Sequence, residues 1–442
     1  MKPKKRKKGS HQGNLFKVFL KDIVSDSHPL VKLANEVEWE VFEEKLTETF
    51  CENNGRPGLP VRLMVGLQYL KYTYGLSDEA VIEAWMENPY WQYFCGGIYF
   101  EHTFPIDPSS MTRWRARLND AGMEELLAET IRAGLRGGFI RKAELKRVNV
   151  DTTVQEKEIR YPTDARLYDR MREKLVAAAC ARGIELRQSY VRKGKQALHR
   201  QSGYARAKQF KRARKETRKL KTYLGRVTRD IERKAGSMDT ELQELLGLSH
   251  RLLIQERKDK NKLYSVHEPA VECISKGKVH KRYEFGCKVG IATTANHNWA
   301  VASVAFHGNP YDGHTLNQTL DQVKRVTGIK PLQAACDLGY RGHDYEGDCR
   351  ILIANRYRKK VSASIRRWWK RRSAVEPVIG HMKHEHGMER NRLKGIEGDS
   401  VNAILSACGY NMRKLLRAIA RFFAHIFGWL FSSSQSQIAA YV

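Results

Sequence analysis

Three acidic residues in this 442-residue chain stand where they could do chemistry. Asp151 closes KRVNVD (146–151), where Val148 and Val150 alternate with polar neighbours as in a strand. Asp337 closes PLQAACD (331–337) in the same way. Glu376 lies in RRWWKRRSAVEPVIGHMK (366–383), which reads as one helix because Val375, Val378, Ile379 and Met382 recur at three- and four-residue spacings. Pro377 is its discordant residue, able to kink the helix. At about 100° per residue, Arg372, Glu376 and Lys383 fall on nearly one side, with Trp369 on that side as well. A carboxylate at a strand end is a usual place for a catalytic group in an α/β sheet, and also for a cap. A Glu four residues from an Arg is also a common surface ion pair. Three carboxylates brought together repel one another unless a cation sits among them, and their hard oxygens suit Mg²⁺ or Mn²⁺. Two such ions about 4 Å apart can activate a water or a 3′-hydroxyl and stabilise the leaving oxygen of a phosphodiester.

The elements that must position these groups belong to a strongly basic chain. Lys and Arg number 79 against 49 Asp and Glu, a net charge of +30. That excess points to a polyanionic partner, nucleic acid first and a membrane surface second. The eight cysteines form no Cys-x-x-Cys pair and read as reduced thiols of an intracellular protein. The Lys-rich start has no apolar core behind it and reads as no signal peptide. The most apolar segment, 415–431, carries Arg417, Arg421 and His425, so it predicts an amphipathic helix and no membrane span.

In chain order, residues 1–15 read as a disordered basic tail. Residues 16–140 read as all-helical and compatible with a helix-turn-helix DNA-binding module. One helix stops at Gly75, Ser77 or Asp78 starts the next, and Ser109 or Ser110 can cap a third. Arg113, Arg115 and Arg117 make that third helix the expected DNA contact. Residues 141–155 and 266–395 read as a mixed sheet flanked by helices. Between them, 156–265 is a basic helical insertion, and 396–442 is a C-terminal helical segment. Residues 165–262 hold 28 Lys and Arg against 11 Asp and Glu. The segment QFKRARKETRKLKTYLGRVTRDIERK has few large apolar residues and needs a partner. The phosphate backbone is the expected one, through Arg212, Arg214, Lys215 and Lys219; a solvated, ion-paired helix is the alternative. His381 and His384 share a face, but no Cys joins them, so they and His386 read as DNA-facing or structural and not as a zinc site.

Nearly the whole chain resembles bacterial insertion-sequence transposases of the DDE class, in the group named after insertion sequence five. The resemblance rests on GRPGLPVRLMVGLQYLKYTYGLSDE (55–79), VDTTVQEKEIRYPTDARLYDR (150–170), GNPYDGHTL (308–316), CDLGYRG (336–342) and the Glu376 helix. That family's signature is Tyr, two residues, Arg, three residues, Glu, six residues, Lys. Arg372, Glu376 and Lys383 match it, and Trp369 stands where the family has Tyr, which keeps an aromatic face and loses the phenol hydroxyl. The resemblance implies an α/β fold with an RNase H-like catalytic core, a helical insertion and an all-α N-terminal domain. It implies Asp151, Asp337 and Glu376 as catalytic residues and ligands of two Mg²⁺ or Mn²⁺ ions. Trp369, Arg372 and Lys383 are then expected on DNA. The expected function is binding of the element's terminal inverted repeats, then cleavage and strand transfer of double-stranded DNA. A homodimer in the cytoplasm of a bacterial host, at the nucleoid, is the expected form. A catalytically inactive DNA-binding protein on the same scaffold is the alternative.

Overall fold

A computed structural model describes residues 17–47, 58–118, 120–236, 238–275, 282–354 and 362–438, with no side-chain description for Thr47 or for residues 423–438. The basic tail and part of the segment 55–79 therefore lie outside the described residues. The chain divides into two compact units, residues 1–156 with 288–442, and residues 157–287.

Among the described residues, the first unit begins with eight helices: α1 (Leu20–Ile23), α2 (Pro29–Glu36), α3 (Trp39–Thr47), α4 (Val61–Tyr74), α5 (Asp78–Glu87), α6 (Pro89–Phe94), α7 (Ser109–Arg117) and α8 (Asp120–Arg136). Gly75 ends α4 in the left-handed region at φ 68°, and the Ser77 hydroxyl accepts from the Ala80 N–H to start α5. Neither Ser109 nor Ser110 caps α7. Both lie inside the helix, and Asp107 accepts from the Ser109 N–H instead.

After α8 comes β1 (Arg147–Glu156). It runs five residues past the expected end at Asp151, since the β-branched and polar run TTVQE continues the pleat. Asp151 thus sits within a strand. The first unit resumes in β3 (Glu284–Thr294), β4 (Ala300–Phe306), α13 (Leu316–Thr327), β5 (Gln333–Cys336), β6 (Arg350–Ile353), α14 (Ala363–Arg372), α15 (Val375–Glu385) and α16 (Gly395–Ile438). Along the sheet the order is β3–β1–β5–β6, and β4 pairs with β3. The β3–β4 hairpin is antiparallel, whereas β1, β5 and β6 are parallel, so the sheet is mixed as expected.

The residues 366–383 are two helices and not one, separated at Ser373–Ala374. Pro377 then causes no kink, because it is the third residue of α15, where backbone N–H groups have no helical acceptor to lose.

α16 crosses α4 so closely that a Cβ on Gly409 would collide with the Tyr72 carbonyl. A buried polar chain joins the same elements to β1. Tyr72 Oη donates to Asn402 Oδ1 (2.9 Å), Asn402 Nδ2 to Gln155 Oε1 (2.9 Å), and Gln155 Nε2 to the Asp399 carbonyl (2.9 Å). Among the described residues no helix is long and apolar enough to cross a membrane.

The second unit contains α9 (Asp164–Ala181), α10 (Val191–Arg206), α11 (Phe210–Lys234) and α12 (Thr240–Ile254), with β2 (Glu272–Ile274) antiparallel to the start of β3. The basic segment is one helix, α11, and its apolar side is buried against protein. Leu220, Leu224, Val227 and Ile231 form a stripe buried with Met171 and Leu175 of α9 and Leu242, Leu246 and Leu252 of α12. Lys211, Arg212, Arg214, Lys215, Arg218 and Lys221 lie on the exposed side.

His386, at the end of α15, is 1% exposed, and its Nδ1 lies 2.8 Å from the Tyr72 carbonyl, placed to donate. Burial pulls its pKa down to about 4. The folded chain therefore holds this ring neutral, while the unfolded chain takes up a proton near pH 6.5. Stability from this group is present above that value and lost as pH falls toward 4, by roughly 3 kcal/mol in full. Urea unfolding of the wild type and His386→Gln between pH 7 and pH 4 should show the variant losing less stability on acidification.

Candidate active site and nucleic-acid interface

The site is built on β1 and β5. Arg147, Val148 and Asn149 stand opposite Gln333, Ala334 and Ala335 in parallel register. Two residues further on come Asp151, still within β1, and Asp337, just past the end of β5, so the register sets two carboxylates level with each other on neighbouring strands. Asp337 starts a 3₁₀ turn, Leu338–Tyr340, and its Oδ1 accepts from the Gly339 N–H (2.9 Å). Burial pushes the Cys336 thiol well above its ordinary value, helped by the Asp337, Cys349 and Asp151 charges around it.

Glu376 arrives from the other direction. α14 is cationic and mostly exposed, and Trp368 is its buried residue. The Trp368 ring packs with Ala295, Ala335 and Leu352, and its Nε1 donates to Asn149 Oδ1 (2.7 Å). This contact brings Arg372 to the sheet. Its Nη1 lies 3.2 Å from Asp151 Oδ2, and its Nη2 lies 3.7 Å from Glu376 Oε1. Arg372 thus links the first and third acidic candidates. Asp151 is 15% exposed and Glu376 65% exposed, so the link runs from a recessed carboxylate to an open one. Glu376 sits in the first turn of α15, where the helix dipole favours a negative charge.

Trp369 is half-buried, and its Nε1 is buried without a hydrogen-bond partner among the described residues. Of the paired tryptophans, Trp368 is the anchor. Residue type and spacing do not choose between them, because both fit an aromatic face on a basic helix.

A further acid stands beside these three. Asp312, in the 3₁₀ turn Asp312–Thr315, accepts on Oδ1 from Thr152 Oγ1 (2.9 Å) and Lys288 Nζ (2.8 Å). Sequence reasoning passed over Asp312 although it lies in GNPYDGHTL, one of the segments that carry the family resemblance.

The expected DNA contacts are placed differently from one another. Arg113 is exposed and donates to Ser109 and Ser110 hydroxyls. Arg115 is 4% exposed and forms a two-point ion pair with Asp78 (2.9 and 2.5 Å), so its guanidinium joins α7 to α5 at the wall of the cleft that Arg117 also lines. Arg117 and Lys383, singled out in distant segments, line one cleft of about 1180 Å³ with Arg390, Arg392 and Lys394. In the second unit, Arg214 lines a groove of about 760 Å³ with Arg218, Lys221, Lys262 and the Tyr161 and Tyr283 rings. Arg212 and Lys215 are exposed on the same helix, while Lys219 pairs with Glu216 at 2.6 Å. His381 and His384 lie beside Glu385 and Glu389 respectively.

Two family models match the chain. Residues 18–117 match one described as Transposase domain (DUF772), and residues 262–412 match one described as Transposase DDE domain. The second match contains Asp337 and Glu376, and Asp151 precedes it. An uncharacterized protein of Rhizobium meliloti, ORF8 in the nfe locus, is 48% identical over 210 residues, which are 48% of this chain and the whole of that relative. No solved structure matches the chain.

The two tryptophans should separate on substitution. Trp368→Phe leaves the buried Asn149 carbonyl without its donor and should cost about 1–3 kcal/mol. Trp369→Phe removes an N–H that has no acceptor among the described residues and should stay within about 0.5 kcal/mol of wild type. Denaturant unfolding of both variants measures the difference.

Proposed function

Because the chain belongs to the insertion-sequence transposases that carry a DDE domain, we propose that Asp151, Asp337 and Glu376 are its catalytic carboxylates, acting with Mg²⁺ or Mn²⁺ on the ends of its own element. The DDE domain implies an RNase H-like core and a divalent metal ion in the reaction. The observation that supports the reading is the parallel register, which sets Asp151 and Asp337 level on neighbouring strands, with Arg372 tying Glu376 to Asp151. The metal supplies a polarised phosphoryl oxygen and an activated water or 3′-hydroxyl.

The protein's own residues position and neutralise. Asp151 is held by β1 and Asp337 by the turn that follows β5, so little reorganisation is needed when DNA arrives. Arg372 stands as counter-ion between Asp151 and Glu376, and can turn toward a phosphate flanking the scissile bond. Lys383, in the cleft with Arg117, holds backbone phosphates further along. Trp369 stacks on a base near the element's end, an interaction worth roughly 1–3 kcal/mol. The exposed face of α11, with Arg212, Arg214 and Lys215, follows the duplex backbone. The assembled complex is a homodimer on the terminal inverted repeats, working at the bacterial nucleoid.

The test is incubation with duplexes bearing candidate element ends, with and without Mg²⁺, reading strand cleavage and joining. Asp151→Asn, Asp337→Asn and Glu376→Gln should each slow cleavage on the order of a thousandfold while end binding is retained or tighter. Normal cleavage by any of them removes that residue from the site. Wild-type protein that binds the ends and never cuts would make the chain a DNA-binding protein only.

Binding should also respond to salt. Arg214→Glu and Arg218→Glu together should lower the log–log salt slope by about 0.9 for each duplex phosphate that is no longer neutralised. An unchanged slope assigns that face to solvent.

A further inference from the structure

We propose that Asp312 is a fourth carboxylate of the site, and that its Oδ2 and Asp337 Oδ1 share a divalent cation in a cradle kept open by Gly339. This rests on the reading of Asp151, Asp337 and Glu376 as a metal-dependent site and extends it to a residue outside that triad.

The cradle is visible from the glycine. A Cβ built on Gly339 would lie 3.0 Å from Asp337 Oδ1 and 3.3 Å from Asp312 Oδ2. Any side chain there would fill the space onto which both oxygens open. Asp312 is held in place by its other oxygen, which accepts from Thr152 Oγ1 at 2.9 Å and Lys288 Nζ at 2.8 Å. Lys288 is 7% exposed, and its ammonium is fixed a second time by the Pro310 carbonyl. A carboxylate with one oxygen held this firmly presents the other in a set direction, as ligating carboxylates do when a second layer of hydrogen bonds orients them.

A second observation comes from the same turn. Tyr340, which closes the turn begun by Asp337, is fully buried; its hydroxyl lies by the Thr315 side chain and makes no hydrogen bond of full geometry among the described residues. Burial keeps that phenol protonated, with Cys336 and the carboxylates of Asp151 and Asp312 adding to the effect. A buried O–H donor near two carboxylates is expensive to leave unmade. A cation-bound water, or a carboxylate oxygen drawn toward the cation, would satisfy it. The charges agree. Asp151, Asp312, Asp337 and Glu376 carry four negative charges against Arg372 and Lys288, leaving an excess that one divalent cation balances.

The test is calorimetric titration of the full-length protein with Mn²⁺ in the absence of DNA. Wild type should bind, and Asp312→Asn and Gly339→Ala should each weaken binding about tenfold or more. Tyr340→Phe, which removes only the hydroxyl, should weaken it by a smaller factor. If Asp312→Asn proves unstable, Gly339→Ala still decides, since it fills the cradle and takes away no polar group. Wild-type affinity in Gly339→Ala, or no Mn²⁺ binding by wild type, overturns the proposal. Asp151→Asn and Glu376→Gln separate it from the reading it rests on. If they abolish cleavage while Asp312→Asn and Gly339→Ala bind Mn²⁺ normally, the three-carboxylate site stands and the cradle fails. If they cleave normally while Asp312→Asn and Gly339→Ala lose Mn²⁺, the cradle stands and the three-carboxylate site fails.

Discussion

A single buried hydrogen bond, Trp368 Nε1 to Asn149 Oδ1, decides where half of the site can be. α14 has few apolar groups with which to grip the protein. Arg366, Arg367, Lys370 and Arg371 are exposed, and Trp368 is the side chain it buries, with Ile365 beside it. A helix so charged is held by whatever it inserts. The ring buries apolar surface on Ala335 and Leu352, and the N–H fixes its orientation by meeting Asn149. Asn149 lies two residues before Asp151 on the same face of β1, about 7 Å along the strand. The anchor and the carboxylate therefore share one strand, and Arg372, one turn beyond Trp368, is placed to reach Asp151.

Electrostatics sets the second constraint. The sheet edge gathers acids that repel one another, and the chain supplies cations of its own to hold them. Arg372 lies between Asp151 and Glu376, and Lys288 sits against Asp312. Both are recessed, at 13% and 9% side-chain exposure, so water screens them less than it would a surface pair. The basic excess of the sequence is thus not all directed at DNA. Arg115 and Arg172 are likewise internal, paired with Asp78 and Asp169.

Much of this was legible from pattern. The alternation in 146–151 and 331–337 and the stop at Gly75 are local signals, and local geometry obeyed them. The misreadings share a physical origin, which is that a residue's type does not say which way it faces. Arg115 has the same chemistry as Arg113 and Arg117, and only the packing of α7 buries it. The apolar residues of α11 are few, yet Leu220, Leu224, Val227 and Ile231 are spaced to make one continuous stripe, enough to bury against three neighbouring helices. Two helices meeting at Ser373–Ala374 keep a periodicity close to that of one, so the break was hidden. Asp312 was passed over within a segment that carries the resemblance, because the residues it meets, Thr152, Lys288 and Gly339, are distant in sequence.

The second unit interrupts the sheet between β1 and β3, and its two ends meet. The Lys157 N–H donates to the Phe285 carbonyl at 2.9 Å. That closeness bears on the order of folding. Bringing together the ends of an unfolded loop of this length costs roughly 4 kcal/mol of chain entropy. Once α9 to α12 have formed their own core, their ends are already adjacent, and β3 reaches β1 as though through a short turn. A long insertion placed this way behaves as a prefabricated connector, and the strand carrying Asp151 finds its neighbour at little kinetic expense.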